Sequence, residues 1–288
     1  VAGSGGVASI AEGFGSAMAE TAADSRSAGA VLSATPWGGA GIATTPDRIM
    51  ESVGNPGPAH FQAAQTFLHD LPESLLHATR SAAGAKAALF ALLLGVGAVR
   101  LTQLAAIERN HGGEIARASD SLNGPLRDIG PRARMPVFEL LIPTLIALEA
   151  AQRDGILAQV NELVQADGKL SLAEFVLLTL CRRHLAGAIR GAPPVKHRSI
   201  DSVAAEAGTV LAVLAHAGSG GVASFDKGMQ ALGLHGGVLP LPAELGIARV
   251  EGALYELKLL APLKKPAFIK ACLAVVMADE RITVIEGE

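Results

Sequence analysis

Residues 166–174 read Ala-Asp-Gly-Lys-Leu-Ser-Leu-Ala-Glu and run on through Phe175, Val176, Leu177, Leu178, Leu180 and Cys181. Ser171-x-x-Glu174 is a capping box: the hydroxyl accepts from the amide three residues on, and the glutamate reaches back to the cap amide. Asp167 adds negative charge near the helix start, where the macrodipole favours it. The stretch behind the box, 171–189, is apolar on nearly every side, which predicts a surrounded helix. Residues 278–286, Ala-Asp-Glu-Arg-Ile-Thr-Val-Ile-Glu, repeat the pattern. They hold Asp279 and a second box, Thr283-x-x-Glu286, and follow the apolar run 265–279 with Phe268, Ile269, Cys272, Leu273, Val275 and Val276. A capped-helix module used twice predicts an all-α, multi-helix bundle.

Helical spacing continues outward from this module. Phe61, Ala64, Phe67 and Leu68 fall on one face, Pro72 opens a short helix with Leu75 and Leu76, and 84–95 and 96–109 read as two more. Helices are expected over 136–152 (interrupted by Pro143), 154–166, 200–217, 221–233 and 243–260. No alternating strand pattern flanked by Asn-Gly turns occurs. Asn55-Pro56-Gly57-Pro58 is a turn or helix-entry signal, Gly130-Pro131 a boundary, and Gly191-Ala192-Pro193-Pro194 an interior linker. Residues 1–48 are Gly-, Ala- and Ser-rich and are expected to be irregular, with one weak helix around Ile10–Thr21. Three segments follow: 1–48, 49–131 and 132–288.

The chain has 288 residues, half of them apolar, which excludes wholesale disorder. Only 3% are aromatic, so the core is aliphatic and a base-stacking platform is missing. The net charge is −3 and basic residues come in short clusters such as Arg182-Arg183 and Lys264-Lys265. A phosphate-neutralising groove, and with it a nucleic-acid partner, is not expected. Two cysteines cannot build a disulfide framework and fit a reducing, cytoplasmic setting. Cys181 and Cys272 are read as small buried hydrophobes. The apolar run 87–99 is shorter than the ~20 residues of a membrane span, so no direct span is expected. The chain opens on Val1, not methionine, and is expected to be a piece of a longer protein.

The candidate metal ligands are Asp167, Glu174, Asp279 and Glu286. Asp167-Gly168 with Glu174 matches the second half of a calcium-binding EF-hand loop, but Leu163 and Gln165 occupy two of its ligand positions, and the second copy has Glu280 where the glycine belongs. Capping is therefore the favoured role of the four. His69, His77, His111 and His184 lack a Glu-x-x-His partner at zinc-binding spacing. His216 and His69-Asp70 read as ordinary helix residues, and no Gly-x-Ser-x-Gly elbow is present. Ala2–Ser9 recurs identically as Ala217–Ser224, a glycine-serine turn before a helix without the lysine of a phosphate loop. Arg182, Arg183 and His184 suit the negative end of their helix. No catalytic residue is expected.

The Asp-Gly-x-hydrophobic-Ser/Thr-x-x-Glu module resembles the tellurite-resistance (TerB-like) helical domain. The run 136–184, with Pro143-Thr144-Leu145, Gln152-Arg153 and Leu163-x-x-Ala166-Asp167-Gly168, resembles the C-terminal region of bacterial membrane zinc metallopeptidases of the CAAX prenyl protease and HtpX-like type. Val53-Gly54-Asn55-Pro56-x-Pro58-x-His60 and Leu71-Pro72 resemble the segment after the peptidase core. Leu214-Ala215, Ala271-Cys272 and Ala278–Glu286 fit the last part, so the resemblance covers residues 50–288. It implies a non-catalytic cytosolic domain, acting on a protein partner or on its own peptidase domain, in a parent anchored in the inner membrane. Zinc would belong to that peptidase domain, and no cofactor to this chain, because the family's HExxH motif is absent here. Two further expectations stay open: a metal- or stress-responsive sensor using the four carboxylates, and a stand-alone hydrolase. The oligomeric state is left undetermined.

Overall fold

The structure, a computed structural model, describes residues 45–168, 171–186, 193–218 and 220–278. Among them are 13 α-helices and no strand; the one β-contact is an isolated parallel bridge between His197 and Leu260. The all-α expectation holds. The weak helix around Ile10–Thr21 lies outside the described residues.

Contacts divide the chain into two compact units, a continuous one over Phe67–Arg190 and one that joins residues before Phe67 to Gly191–Gly287. This division differs from the expected segments, since Gly130-Pro131 lies inside the continuous unit. Gly130 adopts φ +86°, and the 3₁₀ turn Pro131–Ala133 leads directly into the next helix. The pair therefore marks a bend between packed helices rather than a boundary.

The continuous unit holds α3 (Glu73–Thr79), α4 (Ala82–Ala91), α5 (Gly97–His111), α6 (Gly113–Ile129), α7 (Arg134–Ile146), α8 (Ala150–Val164) and α9 (Leu172–Leu185). Helix α4 is its centre. Ser81 caps it by accepting the Gly84 N–H at 3.0 Å, and Ala85, Ala87, Ala88, Leu89 and Phe90 are wholly buried. Helices α3, α6 and α7 pack around it, α5 lies against α6 and α8, and α8 pairs with α9. Small alanines let these neighbours approach closely, and Phe90 fills the remaining space. Buried polar side chains tie the layers together. Gln103 donates to the carbonyls of Leu93 at 3.0 Å and Leu163 at 2.9 Å and accepts the Gly95 N–H at 2.7 Å. Asn123 donates to the Ala91 carbonyl at 2.9 Å.

The other unit holds α1 (Pro46–Ser52), α10 (Ala204–Ala217), α11 (Gly221–Ala231), α12 (Ile247–Lys258) and α13 (Lys265–Val276). Helix α2 (Pro58–Asp70) begins where the Asn-Pro-Gly-Pro signal places it and spans the dividing point. Helix α10 is the centre of this unit and touches α11, α12 and α13. Gly228 on α11 sits so close to α13 that an added Cβ would lie 2.4 Å from Val275 Cγ2. By length and composition, 200–217 is the one stretch among the described residues apolar enough to cross a membrane; here α10 is a core helix.

The reading of two surrounded helices needs adjustment. Helix α9 buries Leu172, Phe175, Leu177, Leu178, Cys181 and Leu185, yet its final turn, Arg182–His184, is exposed. Helix α13 buries only Ala271, Val275 and Val276 of its members, and Ile269 is 46% exposed. The surrounded positions belong to α4 and α10, whose alanines permit contact on several sides at once. Likewise α2 has the expected spacing, but Phe61 and Leu68 on its apolar face stay exposed.

Candidate functional site

The repeated acidic module is where sequence reasoning placed its candidate ligands. Helix α8 ends at Val164, and Gly168 takes φ +70°, the left-handed conformation that glycine adopts without strain. Ser171 itself is extended, and α9 starts after it. The Ser171 hydroxyl accepts the Glu174 N–H at 3.2 Å, and Glu174 Oε2 accepts both the Ser171 N–H at 2.8 Å and its hydroxyl at 2.6 Å. The reciprocal capping box is formed.

The electrostatics of Glu174 oppose one another. Burial pushes its pKa up, and the Asp167 carboxylate adds to this, while the Ser171 hydrogen bonds and the Arg134 guanidinium pull it down. The balance raises its pKa from the ordinary glutamate value. Chemically, this turn offers two adjacent carboxylates, one with an oxygen already occupied by the cap. Asp279 and Glu286 lie outside the described residues. Among the described residues, no three His, Cys, Asp or Glu side chains gather in a way that could hold a metal ion.

The structure disperses the histidines. His69 and His77 are exposed and near Asp70 (3.4 Å) and Glu73 (3.6 Å) respectively. His111, at the end of α5, packs against Phe90 in a tilted arrangement with ring centroids 5.0 Å apart. Burial lowers its pKa, the Lys86 charge lowers it further, and a hydrogen bond with the Gly155 backbone works the other way. The His184 ring stands 6.4 Å from that of Phe138. His216 donates to the Pro240 carbonyl at 2.8 Å. Cys181 is wholly buried and Cys272 half-buried; burial pushes both thiols up to about 12, which leaves them unreactive near neutral pH.

The second glycine-serine copy is described except for Ser219. Helix α11 begins at Gly221, and a Cβ on Gly220 would fall 1.5 Å from Ser224 Oγ, so the turn needs glycine there. Ser224 is buried. The first copy lies outside the described residues. On α9, Arg182 donates to Asn161 Oδ1 at 2.9 Å and Arg183 is exposed.

One cluster escaped the sequence reading. Glu256 on α12 accepts from Lys196 Nζ at 2.8 and 3.0 Å and from His197 Nε2 at 2.6 Å. The same strand of chain is sewn down by its backbone: Lys196 N–H donates to the Leu259 carbonyl at 2.9 Å, and Ala261 N–H to that of His197 at 2.8 Å. Hydrogen bonds from Lys196 and His197 depress the Glu256 pKa. Partners this far apart along the chain leave no local spacing to read. A shallow depression of about 240 Å³ opens beside α11, lined by Asp226, Met229, Gln230, Leu234, His235 and the Gly236-Gly237 backbone.

Comparison with protein-family models, with curated proteins and with solved structures finds no match for this chain.

Proposed function

We propose that this chain is a non-catalytic docking domain, acting by contact on a partner protein or on the peptidase domain of a membrane-bound zinc metallopeptidase of which it forms part. The parent's task would be proteolysis in membrane-protein quality control. The reading rests on the order of the resembling segments, from Val53–His60 through 136–184 to Ala278–Glu286, and on one structural observation. Glu174, the best-placed acidic residue of the repeated module, uses its carboxylate to cap α9. A group held in a reciprocal cap serves to fix the helix start. Sequencing the DNA upstream of the Val1 codon tests the proposal. An in-frame HExxH and hydrophobic spans support it; an upstream stop codon without them overturns it.

A second reading is a carboxylate sensor for divalent cations that uses Asp167, Glu174, Asp279 and Glu286. The mutual influence of Asp167 and Glu174 favours it, since two neighbouring carboxylates are relieved by a cation. An ion bound only by the folded chain raises its melting temperature.

A further inference from the structure

Between Leu260 and Phe268 the chain reads Ala-Pro-Leu-Lys-Lys-Pro-Ala, and this corner is anchored at both ends. Leu260 is buried in a cluster with Val203, Ala207 and Leu257, and Phe268 packs against the same cluster. The Ala261 N–H donates to the His197 carbonyl at 2.8 Å, and the Lys264 N–H to that of Ala261 at 2.9 Å. Pro262, whose ring fixes φ, opens the 3₁₀ turn Pro262–Lys264, which leads directly into α13. The residues between the anchors are left outside. Leu263 is 92% exposed, and Pro262, Lys264, Pro266 and Ala267 are exposed with it.

From Lys258 to Lys270 the chain holds four lysines and no acidic residue, in a protein of net charge −3. Lys270 pairs with Asp47, and Glu256 is engaged by Lys196 and His197, so Lys258, Lys264 and Lys265 have no carboxylate partner among the described residues. Lys265 Nζ donates to the Lys258 carbonyl at 2.8 Å, which keeps its charge at the corner. Exposed Arg198, next to the bridge between His197 and Leu260, adds a cation beside it. Asp201 and Glu206, the acidic residues just after Arg198, are fewer than these four cations. Lys264 does not serve α13 either. It is the N-cap residue without a side-chain hydrogen bond, no acidic residue follows in the first turn, and the macrodipole disfavours cations there.

We propose that the corner 261–267 is a contact site for an anionic lipid surface. Leu263 enters the headgroup boundary, and Arg198, Lys258, Lys264 and Lys265 meet the lipid phosphates. An exposed apolar tip flanked by cations matches both parts of such a surface, the acyl boundary and the negative headgroups. A nucleic acid would use the lysines and leave Leu263 in water. With one leucine and four charges the contact is weak and reversible. It goes beyond the docking-domain reading and holds with or without a peptidase parent.

The test sediments the full chain with vesicles of phosphatidylcholine containing about one-third phosphatidylglycerol, and with vesicles of phosphatidylcholine alone. Binding to the anionic vesicles about tenfold or more above the neutral ones, weakened by salt, is expected. Leu263→Ser should lower the partition coefficient about tenfold, and Lys264→Gln about fivefold, while both variants melt as the parent does. Leu101→Ser, at an exposed leucine of the other unit, should bind as the parent does. The proposal is overturned if the anionic vesicles bring down no protein, if the neutral ones bind equally, or if Leu101→Ser weakens binding as much as Leu263→Ser. Parent-like binding of Leu263→Ser would mark a purely ionic contact and overturn it too. So would release by inorganic phosphate beyond that by chloride at the same ionic strength, the sign of a free-anion site.

Discussion

One carboxylate oxygen of Glu174 takes two hydrogen bonds from Ser171, from its N–H at 2.8 Å and from its hydroxyl at 2.6 Å. The Ser171 hydroxyl in turn receives the Glu174 N–H. The two residues lock the first turn of α9, and this pair is what the acidic module contributes to the continuous unit.

Ser171→Ala removes the cap acceptor and should destabilise the chain by about 1 kcal/mol in urea denaturation. Glu174→Gln keeps an acceptor at the same position and should be neutral or stabilising at pH 7. Because burial raises the Glu174 pKa, its folded form binds the proton more tightly than the unfolded chain does. Its contribution is fully present below the unfolded value of about 4.3 and is lost as pH rises through the raised folded value. The advantage of glutamine should therefore shrink on acidification and vanish below about pH 4. A strong loss of stability in Glu174→Gln at pH 7 would contradict the capping role.

Millimolar calcium, magnesium or manganese should leave the melting temperature unchanged if Asp167 and Glu174 serve only the helix start. A rise that disappears in Asp167→Asn would establish the sensor reading instead, since only an ion bound to the folded state stabilises it.

Glu256 has the opposite sign. Its pKa is lowered by Lys196 and then by His197, so its stabilising share is present above the unfolded carboxylate value and lost as pH falls through the depressed one. Parent and Glu256→Gln melting curves should converge as pH drops below about 4. A gap that stays constant from pH 7 to pH 2 would sink this assignment. Amide exchange at Lys196 and Ala261 reports locally on the same clasp.

Gln103→Leu strips three hydrogen bonds from groups at Leu93, Gly95 and Leu163. Stranding a buried backbone group costs about 1–3 kcal/mol, and the Leu163 carbonyl keeps the Ala166 N–H as a second donor, so a loss of about 2 kcal/mol or more is expected in chemical denaturation. A change under about 1 kcal/mol would show that Gln103 does not join α5 to α8 as described.

Gly228→Ala and Gly252→Ala should differ in sign. The first drives a Cβ into Val275 and should destabilise by about 1–3 kcal/mol. The second meets nothing within 4 Å and lies within α12, where alanine should gain about 0.5–1 kcal/mol. Equal effects in thermal melts would contradict the close approach of α11 and α13.

What the sequence revealed was local. Ser171-x-x-Glu174 could be read because a cap spans three residues, and Pro58 because proline fixes its own torsion. Helix α6 was passed over: Gly112-Gly113, Asn123-Gly124 and Pro125 look like breakers, although Ile115, Ser119, Leu122, Leu126 and Ile129 keep helical spacing. The packing of one face outweighed the local propensities. Hydropathy also misplaced the surrounded helices, because Ile269 is apolar yet faces outward, whereas the alanines of α4 fit a crowded centre. Glu256 with His197, and Gln103 with Leu163, became visible only in three dimensions.

The zinc content of the purified full chain, measured by elemental analysis after dialysis against zinc and then buffer, tests the central claim most directly. A domain that acts by contact should retain far less than one zinc per chain. One tightly held equivalent, lost when a histidine is replaced, would contradict it.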